Sequence, residues 1–393
     1  MLVNSEVGRL KKVLVHRPGN ELLKVLPTRL NNLLFDDVPY LEQMQQEHDI
    51  FVDVMRKQNV EVLYLVDEMT SLFTNESIKK QFIFEWLHKG KILPLKINTL
   101  IYDYLLSLPN RECVLKLIEG ISDHDLNIPL PGLRAVCNYD DGILIDPLPN
   151  TYFTRDPMTV IFDGVAHYKM FYPIRQREVM FSSWLFKEHP NYQNMKNWYV
   201  PEIGFEIEGG DLLVINKNLL LIGCSQRTSL DAIEELSKNL HKKYKDLIVL
   251  AIMLPKARAY MHLDTVLTAI SEYKFVYYQD IFKHVSYIKI DNQKAKLMTG
   301  NLKQVLEQLL EHQVTLFPCG NNMKLYSERE QWNDGSNVLA LDKDLIIAYD
   351  RNRVTNQLLK DSGINVIEIP SFELSRGRGG PHCMSMPLDR EEN

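Results

Sequence analysis

Apolar positions change period several times along the chain. KKVLVHRP, from Lys11, reads as a short strand, and YLEQMQQEHDIFVDVMRKQN then spaces its apolar residues as one face of a helix. VEVLYLVDE follows as an expected strand. From about residue 70 the strand signal disappears. SIKKQFIFEWLHKG, INTLIYDYLLSLP and RECVLKLIEGI read as helices, with Thr74, Asn75, Asn98 and Asn110 as caps or breaks. The pattern predicts an all-helical insertion over residues 71–145, set into a body formed by residues 1–70 and 146–393. After residue 145, Pro, Gly and Asp-Gly signals return with continuous apolar runs, which imply strands in sheets buried on both faces.

The strand-rich part repeats itself. DLLVINKNLLLIGCSQRT, from Asp211, aligns without a gap on NVLALDKDLIIAYDRNRV, from Asn337. Each reads as strand, tight polar turn, strand, then a helix and a further strand. DPMTVIFDGVAHYKMFYPIRQRE and DTVLTAISEYKFVYY are looser copies, and the N-terminal strand with its helix is a degenerate fifth. Such self-similarity suggests modules around a common axis. Asp156, Asp211, Asp264 and Asn337 begin the four hairpins. Modules related by rotation would bring these side chains to similar depth near the axis, with Glu208 and His262 beside them.

Charge and composition narrow the partners. A net charge of −6, with no basic run, argues against nucleic acid. No run of about 18 apolar residues is present, so no membrane helix is expected. The five cysteines, Cys113, Cys137, Cys224, Cys319 and Cys383, are odd in number and scattered, which fits neither a disulfide framework nor a zinc site. A reducing cytoplasm is the expected location.

Cys383 is the unusual one, because Arg376, Arg378, His382 and three glycines precede it. A free thiol is only about 3% ionised at neutral pH, and nearby cations raise that fraction. The segment therefore predicts an activated nucleophile. His262 and Asp264, two apart in an expected strand, would face the same side and supply an acid/base beside it. Three or four inward carboxylates without partners would be costly to bury. A guanidinium satisfies them: it is planar, stays cationic and offers five donors. Its resonance-stabilised carbon needs a strong nucleophile, and its departing nitrogen needs a proton. No metal and no organic cofactor is expected. Relief of carboxylate crowding predicts that Asp156→Asn raises the melting temperature.

LLFDDVP at 33–39, YFTRDP at 152–157, EGGD at 208–211, MHLDTV at 261–266 and GGPHCMSMPL at 379–388 closely resemble the arginine deiminases in order and spacing. The resemblance covers essentially the whole chain. It implies a member of the guanidino-group-modifying, or pentein, superfamily: a five-bladed α/β propeller with pseudo-five-fold symmetry plus an inserted all-helical domain. It also implies hydrolysis of L-arginine to L-citrulline and ammonia through a covalent amidino-enzyme. Cys383 would be the nucleophile. Asp156 and Asp264 would hold the guanidinium, Glu208 would bind it and orient His262, and His262 would protonate the leaving ammonia and then activate water. Arg175, Arg227 and Asn150 would bind the substrate carboxylate, Phe153 would line the slot for the stem, and Gly377, Arg378 and Leu34 would belong to mobile loops over the site. Gln226 stands where the family commonly has an acid, and Cys224 is unusual beside it. L-arginine is thus the expected partner, and homo-oligomers remain open. The alternatives are a superfamily enzyme acting on agmatine, methylated or peptidyl arginine, an amidinotransferase, a cysteine protease, or a binding protein that keeps the pocket.

Overall fold

Every hairpin predicted from the repeats opens a small sheet of its own. The computed structural model describes residues 1–89, 93–126, 142–292 and 294–392, which leaves Cys137 and part of the predicted insertion outside the described residues. Met158–Ile161 and Gly164–His167 pair antiparallel, and Lys196–Tyr199 then joins in parallel. The same order holds for Leu212–Asn216, Leu219–Cys224 and Ile248–Met253. It holds for Leu267–Ser271, Lys274–Tyr277 and Thr315–Pro318, and for Leu339–Asp342, Leu345–Tyr349 and Asn365–Ile369. The degenerate fifth copy is completed by the far end of the chain. Met386–Arg390 runs antiparallel to Leu10–Val15, and Glu61–Tyr64 lies parallel to it.

A parallel third strand requires a crossover, and helices supply it. One is Leu230–His241, where the Ser229 side chain accepts the Ala232 N–H and Ala232, Ile233, Leu236 and Leu240 face inward. The apolar runs LLVIN and LLLIGC are almost wholly buried, as their lack of alternation predicted. The second sheet is widened by the hairpin Tyr287–Asp291 and Lys294–Met298.

Two expectations are corrected. VEVLYLVDE is not one strand: the strand stops at Tyr64 and Leu65–Leu72 is a helix. Leu65, Val66, Met69 and Leu72 are spaced for one helix face, and all four are buried. The segment after residue 70 is not purely helical either. Glu76–His88, Leu95–Ser107 and Asn110–Glu119 are helices, but Ile121–Ser122 pairs with Ile143–Ile145. Asn75 does cap its helix, accepting from the Ser77 and Ile78 N–H groups, whereas Asn98 lies inside one. Phe82, Trp86, Ile97 and Ile101 share one apolar cluster with Met158, Val160, Phe181 and Trp184 of the first repeat. No helix among the described residues is long and apolar enough to cross a membrane.

Candidate active site

The segments that enter the hairpins converge. Asp156 precedes strand Met158–Ile161, Glu208 to Asp211 precede Leu212–Asn216, His262 to Asp264 precede Leu267–Ser271, and Asn337 precedes Leu339–Asp342. Cys383 arrives from the loop before Met386–Arg390. Leu34, Asn150, Phe153, Asp156, Arg175, Arg227, His262, Gly377, Arg378 and Cys383 all line one cavity, joined by Arg258 and Met261. Glu208 and Asp264 sit directly behind it, hydrogen-bonded to His262 and Cys383. The cavity measures only about 10 Å³, room for about one water.

The glycines of EGGD have a steric reason. A Cβ on Gly209 would lie 2.0 Å from the Arg155 carbonyl oxygen, and one on Gly210 would lie 2.6 Å from His262 Nδ1. Bare backbone lets the imidazole settle against this turn. Its Nε2 is 2.7 Å from Glu208 Oε2, and its Nδ1 is 3.7 Å from Asp156 Oδ1. Burial disfavours the imidazolium, but the Asp156 charge and the Glu208 bond outweigh it and raise the His262 pKa to about 9. Glu208 is held well below the usual carboxylate range: burial opposes its ionisation, and the Arg227 charge and His262 bond prevail.

The carboxylates are not unpartnered. Arg175 Nη1 is 2.6 Å from Asp156 Oδ2, and the same guanidinium holds Glu178 at 2.8 Å. Arg227 Nη1 is 3.1 Å from Glu208 Oε2, with its guanidinium over the Tyr172 ring. Gln226 reaches that Tyr172 hydroxyl at 3.4 Å. Asn150 donates to the Leu33 carbonyl at 2.8 Å, and its own carbonyl receives Arg175.

The surroundings of Cys383 differ from the expectation. Its Sγ is buried, 3.2 Å from Asp264 Oδ2 and 3.0 Å from Asn337 Nδ2. Burial, then the Asp264 and Asp156 charges, push the thiol well above its ordinary value. The neighbouring arginines do not lower it. Arg376 bonds to Asp37 and Glu373, and Arg378 stacks 3.4 Å above the Trp332 ring with Asp36 at 3.9 Å. Residue 378 takes a left-handed conformation, φ 63°. Sequence proximity is therefore a poor guide to field here.

His262 and Asp264 also fail to share a strand face. His262 is extended, but Leu263–Thr265 forms a tight 3-10 turn, so alternation does not apply. His262 faces Glu208, while Asp264 faces Cys383 and accepts from His382 Nδ1 at 2.9 Å. Burial raises the Asp264 pKa, yet the His382 bond and charge hold it below the ordinary range. His382 Nε2 in turn meets Glu6 Oε2 at 3.2 Å. Asp211 lies outside the cavity. It accepts from Ser225, Thr228 and the Leu263 N–H, anchoring the turn beside His262.

Glu178, Arg258, Met261 and Glu6 were missed from sequence. Glu178 had a signal, three residues after Arg175 at helical spacing. Arg258 bonds Asp36 Oδ1 at 2.6 Å and the Leu34 carbonyl at 3.2 Å, fastening the segment over the cavity. Glu6 lies 376 positions from His382, so no local pattern revealed it. Asp156, Glu208 and His262 offer three ligand atoms within 4.8 Å, a spacing a metal ion also accepts. Arg175 and Arg227 already occupy the two acidic members, which suits a cationic organic group better.

Comparison with solved structures gives the class first. The N-terminal domain of ArgZ bound to product, an arginine dihydrolase from the ornithine-ammonia cycle in cyanobacteria, matches with TM-score 0.56 at 15% identity, over 96% of this chain and 97% of that one. A variant of DDAH from Pseudomonas aeruginosa complexed with citrulline matches with TM-score 0.56 at 13% identity, over 97% and 100%. At these identities the likeness concerns the fold alone, a mixed α/β fold that this chain shares with both. The sequence goes further. The family model described as arginine deiminase matches residues 31–390. The arginine deiminase of Treponema denticola is 41% identical over 405 residues, covering 99% of this chain and 98% of the relative. That of Limosilactobacillus fermentum is 40% identical over 402 residues, with the same coverage. The chain belongs to the arginine deiminase family.

Proposed function

We propose that this chain hydrolyses L-arginine to L-citrulline and ammonia, with Cys383 as nucleophile and His262 as acid and base. The observation that carries the reading is the pairing of a buried thiol with a buried imidazole across a cavity whose carboxylates already hold guanidinium groups. The arginines of the chain stand in for the substrate. On binding, Arg175 releases Asp156 and turns with Arg227 and Asn150 toward the substrate carboxylate. The substrate guanidinium then takes the place between Asp156 and Asp264, while Phe153 covers its stem. Leu34, Gly377 and Arg378 lie in the loops that must part to admit it.

A cation arriving beside Sγ offsets the carboxylates that keep the thiol protonated, so the thiol gives its proton to solvent and the nucleophile forms when there is something to attack. The Cys383 sulfur adds to the guanidinium carbon. His262, charged and held by Glu208, gives its proton to the departing nitrogen, which leaves as ammonia. The S-linked amidino group remains on the enzyme. Neutral His262 then takes a proton from water, the oxygen adds to the same carbon, the C–S bond breaks, and citrulline departs.

The five sheets of the repeated three-strand order read as blades around a pseudo-five-fold axis, with residues 71–145 as an insertion on that body whose described part is helices and one short strand pair. The scattered free cysteines fit a cytoplasmic enzyme.

The test is citrulline formation from L-arginine by purified protein with chelator present, beside Cys383→Ala. Citrulline from the wild type alone is expected. No citrulline from folded wild type, or turnover surviving in Cys383→Ala, refutes the reading. Comparable turnover of agmatine refutes the roles of Arg175 and Arg227.

A further inference from the structure

Of the four residues that begin the repeated hairpins, three are aspartates and the fourth is Asn337. Its side-chain amide is fully buried and uses both ends. Oδ1 accepts the backbone N–H groups of Gly380 and Cys383, each at 3.1 Å. Nδ2 donates to the Asp264 carbonyl at 3.1 Å and meets Cys383 Sγ at 3.0 Å. The network fixes which end is which, because a flipped amide would set its N–H groups against two backbone donors. Gly380 is shaped by the same contact: a Cβ there would lie 2.6 Å from the Asn337 carbonyl oxygen and 2.7 Å from Oδ1.

Two partners of Sγ therefore have opposite character. Asp264 accepts, and can hold only a protonated thiol. Asn337 donates, and strengthens as the sulfur becomes an anion. An aspartate at this fourth position could keep both backbone N–H groups but would present a second carboxylate to sulfur and no donor.

We propose that Asn337 is a catalytic residue, the hydrogen-bond donor that stabilises the Cys383 thiolate, and that this is why the fourth hairpin begins with an amide. The proposal rests on Cys383 being the nucleophile, but its test does not need turnover. Asn337→Asp keeps the shape and the two backbone acceptors while removing the N–H donor. Asn337→Ala removes the donor without adding charge.

The measurement is the alkylation rate of Cys383 by iodoacetamide at pH 8 in the full chain without arginine, read by the mass of the Cys383 peptide. The expected result is a fall of tenfold or more in Asn337→Asp and a smaller fall in Asn337→Ala. Under arginine, kcat should drop more than tenfold with KM changed less than threefold. A variant that fails to fold declares itself by faster alkylation of buried Cys113 and Cys319, and the other variant then carries the test. A Cys383 alkylation rate within twofold of wild type in a folded variant overturns the proposal. Wild-type protein that makes no citrulline, with the alkylation difference intact, faults the activity and leaves the role of Asn337 standing.

Discussion

The two walls of the cavity settle their charge differently. The wall of Asp156, Glu208 and His262 is saturated with ion pairs, because Arg175 and Arg227 bring cations to every acid there. The wall of Cys383, Asp264 and Asn337 has no arginine against the sulfur among the described residues, and burial with the Asp264 and Asp156 charges favours the thiol form there. The difference teaches what substrate must do at each. At the first wall it displaces a cation with a cation, which costs little net charge burial. At the second, where His382 serves Asp264 but no guanidinium meets the sulfur among the described residues, it would bring a cation to the sulfur itself and so change its state. On the proposed function, binding and activation are thus separated between the walls.

The largest effect tests the acid. His262→Asn should lower kcat for arginine by about three orders of magnitude, a range typical of lost general acid–base catalysis. Glu208→Gln should follow it within a factor of about ten if its bond at 2.7 Å is what keeps the imidazole charged. Steady-state citrulline production measures both. A loss below tenfold in His262→Asn would move the acid to another group.

The next effect tests displacement. Arg227→Ala should reduce kcat/KM for L-arginine by about a hundredfold, the loss expected for a charge-assisted pair with a carboxylate. Turnover of agmatine, which has no carboxylate, should change less than threefold. Equal losses on both substrates would mean that Arg227 serves Glu208 and not the substrate.

The first wall also reverses an expectation drawn from the sequence. Crowded acids suggested that Asp156→Asn would stabilise the protein. The Arg175 pair at 2.6 Å removes that reason. Losing one partner of a buried pair typically costs about 3–5 kcal/mol, and Glu178 limits the damage to Arg175. The melting temperature should therefore fall. A rise would mean that the arginine is not held there in solution.

The missed Arg175 partner shows where legibility ended. The hairpins, their turns and the residues that begin them were readable because apolar runs and repeated spacing are local properties. The same repetition foretold the convergence of Asp156, Glu208, His262, Asp264 and Asn337, although Asp211, placed with them, lies outside the cavity. Partners across the axis were not readable. Arg376 and Arg378 are near Cys383 in sequence but bind Asp37, Glu373 and Trp332, while the residues that do touch its sulfur come from 46 and 119 positions away. The break between His262 and Asp264 was hidden too, because a single 3-10 turn cancels strand alternation without a proline or glycine to announce it.

The smallest effect reads the charge of the first wall directly. The His262 pKa is about 9 in the folded protein against an ordinary value of 6.5. A histidine raised on folding contributes stability that is fully present below about pH 6.5 and is lost as pH rises through about 9. The shift corresponds to about 3–4 kcal/mol, most of which is lost between pH 6.5 and pH 9.5. Buried Asp211, Glu178 and Asp334, each raised to about 7 chiefly by burial, and the buried thiols also make stability fall with pH. Wild type must therefore be compared with His262→Asn, so that those groups cancel. Urea unfolding at pH 6.5 and pH 9.5 should show the stability gap between the two proteins shrinking by about 2–3 kcal/mol. A gap that does not change with pH would mean that His262 is neutral throughout, that the ion pair with Glu208 is a neutral hydrogen bond, and that the two walls are more alike before substrate arrives than their geometry implies.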